Sequence, residues 1–319
     1  MPEDSELSKG YKGKPVLVTG GAGFIGSHLV EALVEAGAKV RVLDDLSTGN
    51  RSNLTPVLDR VDLIIGDIRD ADLCLRAVED INIIFHQAAF VSVPDSLKKP
   101  DRTFAINLFG TSHIFEAARQ QGIKRVVYAS SCAVYGDCST MPLSESHAGR
   151  LLSPYAVSKR SMEALAEYAF ACQGITTVGL RYFNVYGARQ SLKSTYAAVI
   201  PIFIGACLAG QSPTVHGDGS QTRDFVHVSD VVRANLLAGI APDIDVAIAN
   251  VGTGVATSIQ TLAEELCRLT KSSTAPINDE ARPGDIPRSV CNPMQAERLL
   301  GFSAKVPLSE GLANLLTSP

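Results

Sequence analysis

The sequence predicts an α/β fold: a doubly wound parallel sheet with a smaller, partly discontinuous C-terminal lobe. Three observations predict it. Short β-branched runs alternate with amphipathic stretches through the first half, a glycine-rich turn follows the first of these runs, and the alternation loosens after about residue 181.

Residues 1–13, opening Met1-Pro2-Glu3-Asp4, are expected to form a flexible tail; they are acidic and lack the apolar core of a secretory signal. Val16-Leu17-Val18-Thr19 reads as a fully buried strand. A helix follows from about Gly23 to Ala36, ended by Gly37 in the position where helices favour a left-handed residue. Strands are expected at Val40–Asp44, Val61–Asp67, Asn82–Gln87, Arg125–Ser130 and Thr176–Arg181, with helices at Phe104–Gln120 and Tyr155–Ala171. Residues 14–181 therefore form the first domain. Residues 182–319 belong mainly to the smaller lobe, with some segments returning to the first domain. This lobe holds a helix near Ala197–Ala209 and turn-rich stretches at His216–Ser220 and Arg282–Pro287. It is expected to pack over the carboxyl ends of the strands, where open α/β sheets bind ligands.

A chain of 319 residues, 45% hydrophobic, is long enough for a sizeable core. A net charge of −4 with no long basic run argues against a nucleic-acid surface. No apolar stretch reaches the ~20 residues of a membrane span, so no membrane partner is expected. Seven scattered cysteines without a Cys-x-x-Cys pair, and six histidines without ligand spacing, predict reduced thiols, no metal and a cytoplasmic location.

Thr19-Gly20-Gly21-Ala22-Gly23-Phe24-Ile25-Gly26 lies between a strand and a helix, the context in which such a turn cradles a dinucleotide. Gly20 permits the tight turn, Gly23 lets backbone approach a pyrophosphate, and Gly26 allows close helix–strand packing, with the helix N-terminus facing the anion. Asp44, ending the second strand, would accept from a ribose hydroxyl and repel a 2′-phosphate, which favours NAD over NADP. Asp67 is placed either to contact the adenine or to cap a helix. Asn107 is either a cofactor contact or a polar bridge between elements.

Tyr155-Ala-Val-Ser-Lys159 puts a phenol and an ammonium one helical turn apart. The positive charge favours the phenolate, and the lysine can also grip ribose hydroxyls. Ser130-Ser131-Cys132-Ala133-Val134-Tyr135-Gly136 ends the fifth strand, where a serine could bridge Tyr155 and a substrate hydroxyl; the residues alone leave Ser130 and Ser131 open. Together these groups suggest proton and hydride transfer at a carbon bearing a hydroxyl.

With Arg181-Tyr182-Phe183-Asn184, these motifs resemble the extended short-chain dehydrogenase/reductase family over about residues 14–316, and more narrowly its UDP-sugar 4-epimerases, close to those acting on UDP-N-acetylglucosamine. The resemblance implies a Rossmann domain with a substrate-binding lobe, and NAD held by the glycine turn (Phe24 and Ile25 included), Asp44, Asp67, Ile68, Gln87, Ala88, Ala89, Asn107, Tyr155 and Lys159. It makes Ser131 the catalytic hydroxyl, Tyr155 the base and Lys159 its partner. For the UDP-sugar it implies Ser92, Ser131, Asn184, Tyr196, Val199, Arg223, Arg282, Asp285 and Ser289. Arg223 and Arg282 would hold the diphosphate, as guanidinium forks suit phosphate. Ser289, after Gly284-Asp285-Ile286-Pro287, would wall the pocket near C2 of the sugar; being small, it admits an N-acetyl group.

The implied reaction oxidises C4 to a ketone and reduces it on the opposite face, interconverting UDP-GlcNAc with UDP-GalNAc and admitting UDP-glucose and UDP-galactose. Relatives that dehydrate the sugar carry an acidic pair where this chain has Cys132 and Ala133. Arg189 fits either a uronate clamp or a nucleotide contact. The alternatives are a UDP-glucose 4-epimerase, a UDP-glucuronate 4-epimerase and a non-catalytic NAD-binding regulator. A homodimer through Phe104–Gln120 and Tyr155–Ala171 is implied by analogy.

Overall fold

The structure is a computed structural model that describes residues 2–190, 199–281 and 286–317. The chain begins with α1 (Pro2–Tyr11), β1 (Pro15–Thr19), α2 (Phe24–Glu35), β2 (Lys39–Asp44), a 3-10 turn over Arg51–Arg60 and β3 (Val61–Ile65). It continues through α3 (Ala71–Ala77), β4 (Ile83–His86), α4 (Val93–Lys98), α5 (Pro100–Phe104), α6 (Thr111–Gln120), β5 (Arg125–Ser131), α7 (Pro154–Gln173) and β6 (Thr176–Tyr182). The second half adds β7 (Asn184–Tyr186), α8 (Val199–Leu208), β8 (Thr214–His216), β9 (Thr222–Arg223), β10 (Phe225–His227), α9 (Val228–Ile240), β11 (Val246–Val251), β12 (Thr257–Ser258), α10 (Ile259–Thr270), β13 (Ile277–Asp279), β14 (Arg288–Ser289), α11 (Met294–Leu300) and α12 (Leu308–Thr317).

Seven strands form one parallel sheet in the order β11-β6-β5-β4-β1-β2-β3. The strand order reverses between β1 and β4, opening the crevice in which such sheets bind ligands. Strand alternation divides the core between the two faces of the sheet. Val16 and Val18 of β1, with Val127 and Ala129 of β5, pack toward α2 and α9. Leu17, Val126 and Tyr128 point the other way, toward α3, α6 and α7. Tyr186, Phe203, Phe225 and Leu262 form a separate cluster in the second half.

Three features depart from the sequence reading. Residues 2–11 form a helix instead of a loose tail: Tyr11 is fully buried and its hydroxyl donates to Leu236 O (2.6 Å). The sheet gains a seventh strand, β11, from the chain's second half, where periodicity had faded. The helix expected over Phe104–Gln120 starts at Pro100 and passes through a π turn at Ala105–Gly110.

Candidate active site

A single cavity of about 800 Å³ runs from the glycine turn, across the carboxyl ends of β1, β4 and β5, to α8 and β9. At one end Gly20 adopts φ +68° and turns the chain sharply out of β1. A Cβ on Gly26 would lie 2.1 Å from Gly20 O, so only glycine lets the first turn of α2 close over the strand. Gly23, the N-cap of α2, has no side chain with which to satisfy the helix's free N–H groups. Those donors, with Phe24, Ile25 and the turn glycines on the cavity wall, fit a pyrophosphate.

Asp44 is buried; it accepts from Ala22 N (2.9 Å) and Leu46 N (2.8 Å). Burial raises its carboxyl above the ordinary range, and those two N–H donors oppose the rise. Asp67 and Ile68 also line the cavity. Asp67 is paired with Arg69, whose hydrogen bonds hold its carboxyl below the usual range, and Asp70 is the residue that caps α3. Helix capping is therefore not the role of Asp67. Gln87, Ala88 and Ala89 follow β4 along the wall. Gln87 Nε2 donates to Asn235 Oδ1 (3.0 Å) and its Oε1 accepts from the Tyr182 hydroxyl (3.1 Å), which fixes the amide.

Asn107 is fully buried, accepts from Phe90 N (2.7 Å), and donates to Phe90 O (3.0 Å) and Ser158 Oγ (2.9 Å). It makes the polar bridge between elements that its sequence position allowed, from the strand-end loop to α7, beside the cavity-lining Phe90 and Ile106.

The reactive groups stand at the middle of the cavity. β5 delivers Ser131 and α7 delivers Tyr155 and Lys159. The Tyr155 hydroxyl lies beside Ser131, whose Oγ accepts from Ala133 N (3.2 Å). Ser130 points the other way and donates to the buried Glu163 (2.7 Å), so the structure distinguishes the two serines. Lys159 Nζ donates to Ala129 O (2.7 Å) and sits 5.8 Å from the centre of the Tyr155 ring. Burial pushes Tyr155 up to about 12 and Lys159 down to about 7. Desolvation thus outweighs the help that the lysine was expected to give the phenolate.

Asn184, Arg223, Val199 and Ser92 line the far end. Asn184 donates to Asp224 O (3.2 Å), and Arg223 Nη1 to Ile286 O (2.7 Å). Asp224, missed by the sequence reading, is fully buried; it accepts from Thr253 N, Gly254 N and Cys291 N and so ties this wall together. Ser92 also caps α4 by accepting from Asp95 N (3.1 Å). Ser289 pairs beside the wall residue Arg223 across β9 and β14 and is buried against Cys132, so it does not face solvent. Tyr196, Arg282 and Asp285 lie outside the described residues. Arg189 is bound to Glu31 (2.6 Å) and Ser27 (3.2 Å) at the cofactor end. Phe90, with Arg102 5.5 Å from its ring centre, is a further wall residue that carried no sequence signal.

The comparisons agree with this geometry. Residues 16–252 match the NAD dependent epimerase/dehydratase family. The UDP-glucose 4-epimerase of Mycolicibacterium smegmatis is 40% identical over 306 residues, covering 93% of this chain and 96% of that protein. The structure of a UDP-N-acetylglucosamine 4-epimerase from Methanobrevibacter ruminantium, in complex with UDP-N-acetylmuramic acid, superposes with a TM-score of 0.91 at 38% identity, covering 96% of this chain and 97% of that one. That of a Thermus thermophilus UDP-glucose 4-epimerase complexed with NAD gives 0.86 at 36% identity, covering 95% and 97%. With a glycine cradle that a single Cβ would block and the buried Asp44 carboxylate beside it, this chain uses NAD and belongs to the NAD dependent epimerase/dehydratase family.

Proposed function

We propose that the protein is a UDP-sugar 4-epimerase that interconverts UDP-GlcNAc and UDP-GalNAc and accepts UDP-glucose and UDP-galactose in the same site. The observation that carries the reaction is the Ser131–Tyr155–Lys159 set midway along a cavity that has the glycine cradle at one end and Arg223 and Asn184 at the other. NAD, which the glycine turn and Asp44 would hold, would supply the hydride acceptor and donor at C4 of the hexose, so that oxidation on one face and reduction on the other invert that centre. Tyr155 removes the proton from the 4-hydroxyl and later restores it, and Ser131 hydrogen-bonds that oxygen throughout. Because burial disfavours both charged forms, the Tyr155 phenolate and the Lys159 ammonium form best together. Cys132, pushed up to about 11 by burial, keeps its proton and supplies no acid–base pair for eliminating water.

The N-acetylated substrate is supported by the likeness to an epimerase seen with an N-acetylated UDP-sugar. A second reading, activity on UDP-glucose alone, is favoured by the curated relatives that carry that name at 40% identity. Proton NMR of the anomeric signals separates them. Formation of UDP-GalNAc from UDP-GlcNAc without net NADH is the expected result, and conversion of UDP-glucose alone would overturn the N-acetyl assignment. We also propose a homodimer, because Leu97, Phe109, Val157 and Tyr168 are exposed along α4, the π turn and α7.

A further inference from the structure

Behind the catalytic face lies a charged cluster that the reaction above does not use. Glu163 is one helical turn beyond Lys159 on α7, and both it and Arg181 of β6 are only 1% exposed. Glu163 Oε1 accepts from Ser130 Oγ (2.7 Å) and Arg181 Nε (2.8 Å). Its Oε2 accepts from Arg181 Nη2 (2.8 Å) and Arg160 Nη1 (2.7 Å). Desolvation cancels most of the attraction in a buried ion pair, so stability alone does not explain this one.

Register supplies another role. Three successive residues of β5 meet three successive turns of α7: Ser131 lies beside Tyr155, Ala129 O accepts from Lys159, and Ser130 donates to Glu163. The hydrogen-bond partner of Lys159 in this ladder is a neutral carbonyl, so the negative charge on its helix face comes from Glu163. We propose that Glu163 is a positioning residue: its carboxylate, fixed by Arg181 and Ser130, holds Lys159 as an ammonium and clamps the catalytic end of β5 to α7.

This inference rests on Tyr155 and Lys159 being the catalytic pair. The groups facing Lys159 are Tyr155 and Glu163 from α7, His86 from β4, and the Ala129–Ser131 segment from β5; Arg160 and Arg181 reach Glu163. His86 is kept neutral, driven down to about 3 by burial and then by the lysine's charge. Burial draws Lys159 down to about 7, and Glu163 pulls in the opposite direction. Near neutral pH the lysine is therefore poised where a neighbouring charge changes its state most.

The test is an NMR titration of lysine labelled at Cε in the purified protein, with Lys159 assigned through Lys159→Met. In Glu163→Gln the Lys159 midpoint should fall by about 1 pH unit or more, the size of a lost charge neighbour. The pH above which UDP-sugar turnover declines should fall with it while KM changes little, and Glu163→Asp should restore both. If Glu163→Gln leaves Arg181 too costly to bury, the double variant Glu163→Gln/Arg181→Met removes both charges, and the midpoint should still fall. A folded variant of either kind with an unmoved Lys159 midpoint would overturn the proposal. If the wild type turns over no UDP-sugar while the midpoint still falls, the electrostatic role stands and the functional reading fails.

Discussion

At Lys159 two demands conflict: the reaction proposed above needs a cation, and burial resists one. Its proton affinity drops from the ordinary 10.5 to about 7 in the folded protein. Between those values the unfolded chain binds more protons than the folded one, so this residue makes stability rise with pH. Its cost is fully present below about 7 and is relieved as pH approaches 10.5. In NAD-free protein, Lys159→Met should therefore raise the melting temperature most at or below pH 7, with the gain shrinking toward pH 10. Thermal melts across that range check the sign, and a gain that grows with pH would contradict it. The pairing of Tyr155 with Lys159 was legible in the sequence because helical spacing alone puts them on one face. The choice of Ser131 over Ser130 was not legible in the residues, because both end the same strand and only its pleat sends one hydroxyl to Tyr155 and the other to Glu163.

Among the elements, the β1–turn–α2 unit leaves the least room for change. Gly26→Val would place a Cβ 2.1 Å from Gly20 O and 2.9 Å from Gly21 Cα, and the contacts are backbone, which cannot swing away. Overpacking of this kind costs about 1–3 kcal/mol, and here it opens the pyrophosphate cradle directly. NAD affinity measured by calorimetry should weaken at least about tenfold while the far-ultraviolet circular dichroism stays that of the wild type. This unit could be read from the sequence because its constraints are local. Helix α1 could not: its anchor is the contact of Tyr11 with α9, more than 200 residues away, and nothing in residues 2–11 signals it. β11 was hidden for the same reason; its place beside β6 is set by pairing across the sheet.

For the whole molecule, the open question is what covers the apolar side chains on α4, the π turn and α7. Leu97 is 61% and Phe109 60% exposed, more than isolated surface residues need. If a second copy covers them, Leu97→Glu and Phe109→Glu should shift the sedimentation coefficient from that of a dimer to that of a monomer without loss of helix or sheet. An unchanged monomeric value in the wild type would refute the dimer.

What the sequence determined by itself was whatever depends on neighbours within a turn or a strand: the alternation that makes the sheet, the glycine cradle, Asp44 at the end of β2, and the Tyr155–Lys159 spacing. What only the tertiary structure decided depends on separate elements meeting. Asn107 turned inward to bridge Phe90 and Ser158, and Ser289 came to rest beside Arg223 and against Cys132. Glu163 found Arg181 and Ser130 on two different strands. Side-chain direction on a helix or strand follows from local periodicity, but the partner it meets is fixed only when the layers pack.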